Sequence, residues 1–284
     1  MNLLLDMGNT RLKWLLIDPD WLLIDPGRLL PADAAAQKQD HPRYPRGALT
    51  HGTEAAMDTG GTPVADFAQQ LDLAWGALAT PRRVVMASVA APESLRPVLQ
   101  WLAQHWPATP VHRVAAVPAQ LGVSNRYREP ARLGADRWAA LIGARARSTG
   151  PLCLVDAGTA LTIDALDGDG VFAGGVILPG IALARRALLA RAPGIAAADG
   201  DETSCFAHST ADGVAAGTLY GAVGAVERIV TEFGARLGRD MRVLLTGGDG
   251  PRLRPYLHAR LVYDVEEVPD LVLQGLARIA ESLK

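Results

Sequence analysis

Hydrophobic residues in this chain gather into short runs that end in glycine-bearing turns, and two of these runs are close copies. Leu3-Leu4-Leu5 ends in Asp6-Met7-Gly8-Asn9-Thr10, and Leu152-Cys153-Leu154-Val155 ends in Asp156-Ala157-Gly158-Thr159-Ala160. Beyond each turn the chain turns apolar again, through Leu12, Trp14, Leu15 and Leu16 in the first case and Leu161, Ile163 and Ala165 in the second. Each copy therefore reads as strand, tight turn, strand. A third run, Val243-Leu244-Leu245, leads into Thr246-Gly247-Gly248-Asp249-Gly250.

The remaining pattern is that of an α/β protein. Residues 1–30 read as a β meander, in which Trp14-Leu15-Leu16-Ile17-Asp18-Pro19 recurs as Trp21-Leu22-Leu23-Ile24-Asp25-Pro26. Residues 31–63, rich in Pro, Gly and Ala, read as mostly loop. A helix over 65–78, a strand over 83–89, a helix over 92–106 with Pro in its first turn, and a strand over 112–117 complete the first half. The second half reads as a helix over 134–147, a hairpin over 152–165, a strand over 172–177 and helices over 179–190 and 212–237. Strands over 241–246 and 260–263 follow, and a closing helix runs over 269–283. Pro118 and Gly122 punctuate the chain, so the predicted domains are 1–117 and 118–284, with the closing helix able to pack back on the first. In the 212–237 helix, Gly213, Gly217, Gly221 and Gly224 share one face. Each costs about 1 kcal/mol relative to Ala. That cost implies a close neighbour, either in this chain or in a second subunit.

Composition narrows the function classes. The 284 residues are 49% hydrophobic and 20% charged, with a formal net charge of −2. That balance is ordinary for a globular protein and carries no electrostatic footprint for nucleic acid. No run of about 18 apolar residues occurs, and the start lacks a basic segment, so neither a membrane span nor a signal peptide is expected. Cys153 and Cys205 are the whole cysteine complement. They make no disulfide framework, and the expected setting is cytoplasmic. The six histidines are scattered without metal-ligand spacing, so surface or packing roles are expected for them.

The chemistry lies in the turns. Glycine lets backbone N–H groups approach an anion closely, and the threonine hydroxyl adds a donor. Aspartate repels phosphate, so Asp6 and Asp156 make sense with a cation between carboxylate and phosphate. Any one Asp-x-Gly turn is a common turn with no ligand. Three strand-ended glycine turns spread over two halves suit a nucleotide site better. A separate acid, Asp136, opens a predicted helix in Leu133-Gly134-Ala135-Asp136-Arg137-Trp138. Acids are common there because the macrodipole favours them, and the same dipole should keep Asp136 ionised, as a base must be. Phosphoryl transfer asks only modest help from such a base.

Taken in order, five segments make the chain resemble the type III pantothenate kinases, of the acetate-kinase, sugar-kinase and actin superfamily. They are Asp6-Met7-Gly8-Asn9-Thr10-Arg11-Leu12-Lys13, Gly134-Ala135-Asp136-Arg137, Asp156-Ala157-Gly158-Thr159, Gly174-Gly175-Val176-Ile177-Leu178-Pro179-Gly180, and Thr246-Gly247-Gly248. The resemblance implies two actin-like (ribonuclease H-like) α/β domains with a nucleotide cleft between them. It implies ATP-dependent phosphorylation of pantothenate to 4'-phosphopantothenate, the first step of coenzyme A synthesis. Residues Asp6, Met7, Gly8, Asn9, Thr10, Arg11, Leu12, Lys13, Thr159, Thr246, Gly247 and Gly248 would then contact ATP. Asp136 would accept the proton, and Tyr127, Gly134, Ala135, Asp136 and Arg137 would line the pantothenate pocket. Asp6 would act on magnesium through water, and Asp156 on potassium or ammonium. A homodimer with no nucleic-acid or membrane partner is implied as well. At the position where the family usually places a threonine that touches pantothenate, this chain has Ala192. One lost hydrogen bond there would cost about 0.5–1.5 kcal/mol. Another small-molecule kinase or phosphatase of the same superfamily, or a nucleotide-sensing regulator without turnover, are the competing readings, because phosphate turns are shared while acceptor choice lies in the pocket.

Overall fold

Each of the two copied runs folds as an interior strand of its own sheet. The computed structural model describes residues 1–18, 45–51, 66–192, 194–195 and 199–283. The chain divides into two units, Met1–Arg147 with Leu271–Lys284, and Ser148–Asp270. In chain order the first unit holds β1 (Asn2–Met7), β2 (Arg11–Ile17), β3 (Arg46–Thr50), α1 (Phe67–Trp75), β4 (Arg83–Ser88), α2 (Pro92–His105), β5 (Val111–Arg113), a small hairpin β6 (Ala119–Gln120) and β7 (Val123–Asn125), and α3 (Ala135–Arg147). The second unit holds β8 (Leu152–Ala157), β9 (Ala160–Leu166), β10 (Val171–Pro179), α4 (Ile181–Arg191), α5 (Thr210–Leu237), β11 (Arg242–Thr246), α6 (Gly250–Arg260) and β12 (Val265–Glu267). The closing helix α7 (Leu271–Ser282) returns to the first unit.

The strand order is β3-β2-β1-β4-β5 in the first unit and β10-β9-β8-β11-β12 in the second. In both, the first three strands run antiparallel and the last two are added in parallel. The repetition reaches single residues. β1 and β8 have the same burial pattern, fully buried except at the fifth position, and that position is Asp6 in one and Asp156 in the other. β2 and β9 also match position by position. The strands alternate sides, as a pleated sheet demands. Leu3, Leu5, Met7, Leu12, Trp14 and Leu16 therefore share one core with Trp75, Val98, Trp101 and Trp106 of the α1 and α2 region. Trp75 and Trp101 meet edge to face at 5.3 Å between centroids, the geometry that the ring quadrupole favours. In the second unit Val155, Leu161, Ile163, Val243 and Leu245 pack with Val223, Val226 and Val230 of α5.

The division falls at 147/148, later than the boundary at 117/118 expected from Pro118 and Gly122. The reason is helix packing that no local punctuation reveals. α3 lies tightly on α7, and both helices serve the first sheet. A Cβ on Gly275 would collide with the carbonyl of Ala139, and one on Gly143 with that of Leu271, so glycine is what lets the helices touch.

Other differences are local. The segment read as loop contains β3, and the second copy at 21–26, with most of 31–63, lies outside the described residues. The strand expected over 260–263 is absent. α6 runs over Gly250–Arg260 and the strand comes later, at β12. Pro251 and Pro255 hid that helix, which buries only Gly250, Leu253 and Leu257. α5 starts at Thr210, capped by Ser209, whose hydroxyl accepts from the Asp212 amide at 3.1 Å. Its glycine face is exposed, and a Cβ at Gly217, Gly221 or Gly224 would meet nothing within 4 Å. Among the described residues, this chain does not supply the neighbour that the glycines call for. No described helix is long and apolar enough to cross a membrane.

Candidate functional site

The first turn is built by the pairing of β1 with β2. Asp6 lies directly across from Lys13, so opposite charges leave the sheet side by side. The Gly8 amide closes the turn on Arg11 O at 3.0 Å. Asp6 alternates with the core residues Leu5 and Met7, so it leaves the opposite face of the sheet, the face that α3 and α7 cover. The N-terminus of α3 comes close to this turn. Val89, which follows β4, donates its amide to Met7 O at 3.1 Å. A Cβ on Gly134 would lie 3.5 Å from the Val89 side chain. A single residue thus links the first glycine turn to the segment that carries Asp136.

Asp136 Oδ1 accepts the Arg137 amide at 2.7 Å, one of the amides that a helix N-terminus leaves free. Its pKa is nevertheless raised. Burial is the largest cause, and the Arg137 amide and guanidinium only partly oppose it. The helix dipole was expected to favour the ionised form, but desolvation outweighs that field and the shift is upward. A base with a raised pKa holds an abstracted proton better, which is what general-base chemistry near neutrality asks for. Arg137 is buried, and its Nη1 donates to the Tyr127 hydroxyl at 2.9 Å. Asn125 shapes the segment before it, accepting the Tyr127 amide at 3.0 Å and donating to Pro130 O at 3.1 Å. Tyr127, Gly134, Ala135, Asp136 and Arg137 thus form one connected patch of the first unit.

In the second unit the glycine turns are knotted together. Gly158 closes its turn on Ala160 O at 3.0 Å, also the first residue of the following strand, in a turn one residue shorter than the first. The Asp249 amide donates to Ala157 O at 2.9 Å, and the Gly180 amide to Thr159 O at 3.0 Å. A Cβ on Gly180 would collide with the carbonyl of Gly158, and one on Gly247 with that of Ala157. Gly247 also has a φ of +90°, a conformation that other residues avoid. The Asp156 carboxylate lies against Gly247, so Asp156, Thr159, Gly180, Thr246, Gly247 and Gly248 make one cluster. Carboxylate and carbonyl oxygens dominate it, and such oxygens suit hard cations. Ala192 caps the end of α4, its amide on Leu188 O at 2.9 Å, and its methyl group offers neither donor nor acceptor.

His51 was passed over in the sequence. It is buried at 3% exposure and bonded to the first turn. Burial lowers its pKa, and its bond to Gly8 opposes that only in part. Only its place directly after a strand, in a segment read as loop, could have marked it.

A family model of type III pantothenate kinases matches residues 2–232. The chain belongs to the type III pantothenate kinase family. A type III pantothenate kinase of Nitrosococcus oceani is 35% identical over 287 residues, covering 99% of this chain and 94% of that one. One of Laribacter hongkongensis is 36% identical over 280 residues, covering 99% and 98%. Among solved structures, a 2-dehydro-3-deoxygalactonokinase protein of Sinorhizobium meliloti superposes with a TM-score of 0.55 at 15% identity, covering 100% of this chain and 99% of that one. A Baf family transcriptional activator of Campylobacter jejuni gives 0.54 at 19% identity, covering 99% and 98%. At these identities the likeness speaks for fold alone, the two-domain actin-like α/β architecture expected from the family's motifs.

Proposed function

We infer that this chain is a pantothenate kinase, transferring the γ-phosphoryl group of ATP to the terminal hydroxyl of pantothenate to give ADP and 4'-phosphopantothenate. Family membership over nearly its whole length supports the reading. The structural observation that carries it is the seating of Asp136 next to the first glycine turn through Val89. Asp136 takes the hydroxyl proton as the oxygen–phosphorus bond forms and the bond to ADP breaks. The transition state is loose, so positioning and charge stabilisation carry most of the catalysis. The Asp6–Lys13 turn, Thr159 and the Thr246–Gly248 turn hold ATP, and Tyr127, Gly134, Ala135, Arg137 and Ala192 belong to the acceptor pocket. A coupled ADP-release assay with pantothenate against a panel of sugars, acetate and glycerol tests this. ADP release with pantothenate alone is expected. Faster turnover of another acceptor would replace the substrate, and no release with any acceptor would remove the kinase reading.

The oxygen-rich surroundings of Asp156 fit a hard cation. Magnesium, when bound with ATP, neutralises phosphate charge, and Asp6 would hold it through water. Asp156, beside the Ala157 carbonyl and the Gly247 turn, would hold potassium or ammonium. With magnesium present, replacing potassium by tetramethylammonium should lower the rate on the order of tenfold, the cost of about one charge-assisted contact. Ammonium should restore it, and equal rates in all three salts would remove the monovalent site.

The exposed glycine face of α5 suits a two-fold contact between copies, in which one patch meets itself. Gly221→Leu meets open space among the described residues, so its melting behaviour as a monomer should hold. In the dimer it should cost about 1–3 kcal/mol per subunit by overpacking. Light scattering over a concentration series should show wild type as a dimer and the variant shifted toward monomer. A monomeric wild type at high micromolar concentration would end this reading. Both cysteines are free thiols, which suits the reducing cytoplasm as the place of action.

A further inference from the structure

His51 grips the first glycine turn twice. Its backbone amide donates to Thr10 O at 3.0 Å, and its ring Nε2 lies 3.0 Å from Gly8 O. A carbonyl oxygen only accepts, so Nε2 carries the proton and the ring is the donor. The ring is almost completely buried, and its Nδ1 has no partner among the described residues. Phe67 lies beside it, 5.4 Å between ring centroids. β3 delivers His51 to this place, since Thr50 is paired with Arg11 at the start of β2.

The bond to Gly8 has a directional consequence. No described peptide is cis. In a trans peptide the carbonyl and the amide of one plane point to opposite sides. Holding Gly8 O toward the buried ring therefore turns the Asn9 N–H away from it, at an exposed residue. An unpinned glycine peptide can rotate between orientations, and an amide that must first be turned binds an anion more weakly.

We propose that His51 is a positioning residue that fixes the Gly8–Asn9 peptide plane, so that the Asn9 amide is presented to a phosphate of the bound nucleotide. The proposal rests on reading this turn as a nucleotide-phosphate site. Glutamine can place its side-chain N–H₂ where Nε2 stands, whereas the shorter asparagine cannot. His51→Gln and His51→Asn are therefore alike in polarity and different in reach.

The test is calorimetric titration of each variant with the magnesium complex of AMPPNP, a non-hydrolysable ATP analogue, beside steady-state kinetics and thermal melts. His51→Asn should weaken analogue binding and raise the KM for ATP about tenfold, with the KM for pantothenate unchanged. His51→Gln should bind within about threefold of wild type. Wild-type affinity in His51→Asn would overturn the proposal while leaving the nucleotide site standing. Equal losses in both variants, in step with equal drops in melting temperature, would also overturn it, in favour of packing alone. A wild-type protein that does not bind the analogue would take down the nucleotide reading of the turn, and this proposal with it.

Discussion

Asp136→Asn should lose turnover by a factor of about 10²–10⁴, the usual contribution of a positioned general base, while gaining thermal stability at neutral pH. The two effects share one cause. Burial raises the Asp136 pKa in the folded protein, so the folded state prefers the protonated acid. A group of this kind favours folding below the ordinary aspartate pKa, and that contribution is lost as pH rises through the raised folded value. At neutral pH the ionised carboxylate therefore works against the fold, and the neutral amide of asparagine does not. Melts should place the variant above wild type at pH 7, and the gap should close as the pH falls into the carboxylate range. Coupled ADP release should show the loss in kcat with nucleotide affinity nearly intact. The acid limb of the wild-type rate profile should lie above the ordinary aspartate range, because the base must be deprotonated to act. Near-wild-type turnover in the variant would mean that another group takes the proton.

Gly180→Ala should cost about 100-fold in kcat/KM for ATP, the scale of loss that a misplacement near 1 Å produces. The added Cβ has no room, because the carbonyls of Gly158 and Thr159 already press on Gly180. Both are backbone atoms of the Asp156–Thr159 turn, so relief comes only by moving the turn or by breaking the Gly180 amide bond to Thr159 O. The Gly247 turn shares the neighbourhood through the Asp249 bond to Ala157 O, so the displacement should spread to it. The site should fail well before the core does, since Val155, Leu161 and Ile163 pack behind the turn and stay in place. Kinetics and far-ultraviolet dichroism on the same sample would check this. Activity within about threefold of wild type would show that the turns tolerate being parted.

The strands and turns that carry the candidate site were legible because their signals are local. A buried strand that ends in an aspartate and a glycine announces itself within a few residues, and both copies lie where their patterns put them. The long α5 helix and the start of α3 were readable for the same reason. α6 and β3 were not. The prolines of α6 suppress the helical signal, and the burial of Leu253 and Leu257 rests on strands elsewhere in the second unit. β3 owes its existence to pairing with β2, since Arg46-Gly47-Ala48-Leu49-Thr50 carries little strand pattern of its own.

By itself the sequence determined the α/β repeat, the glycine turns, the Gly134–Arg137 acid and, through their order, the family. All of these are short-range patterns or their succession. Tertiary structure alone decided what distant segments do to one another. It took much of Asp136 out of water and so reversed the expected direction of its pKa. It brought Gly180 and Gly247 against the Asp156 turn, and it set His51 under the Gly8 carbonyl, 43 residues away. It left the α5 glycines facing outward, and it drew α7 back onto α3 so that the division falls at 147/148. Desolvation, steric contact and hydrogen-bond direction depend on which atoms become neighbours in space, and folding, not the local pattern, chooses those neighbours.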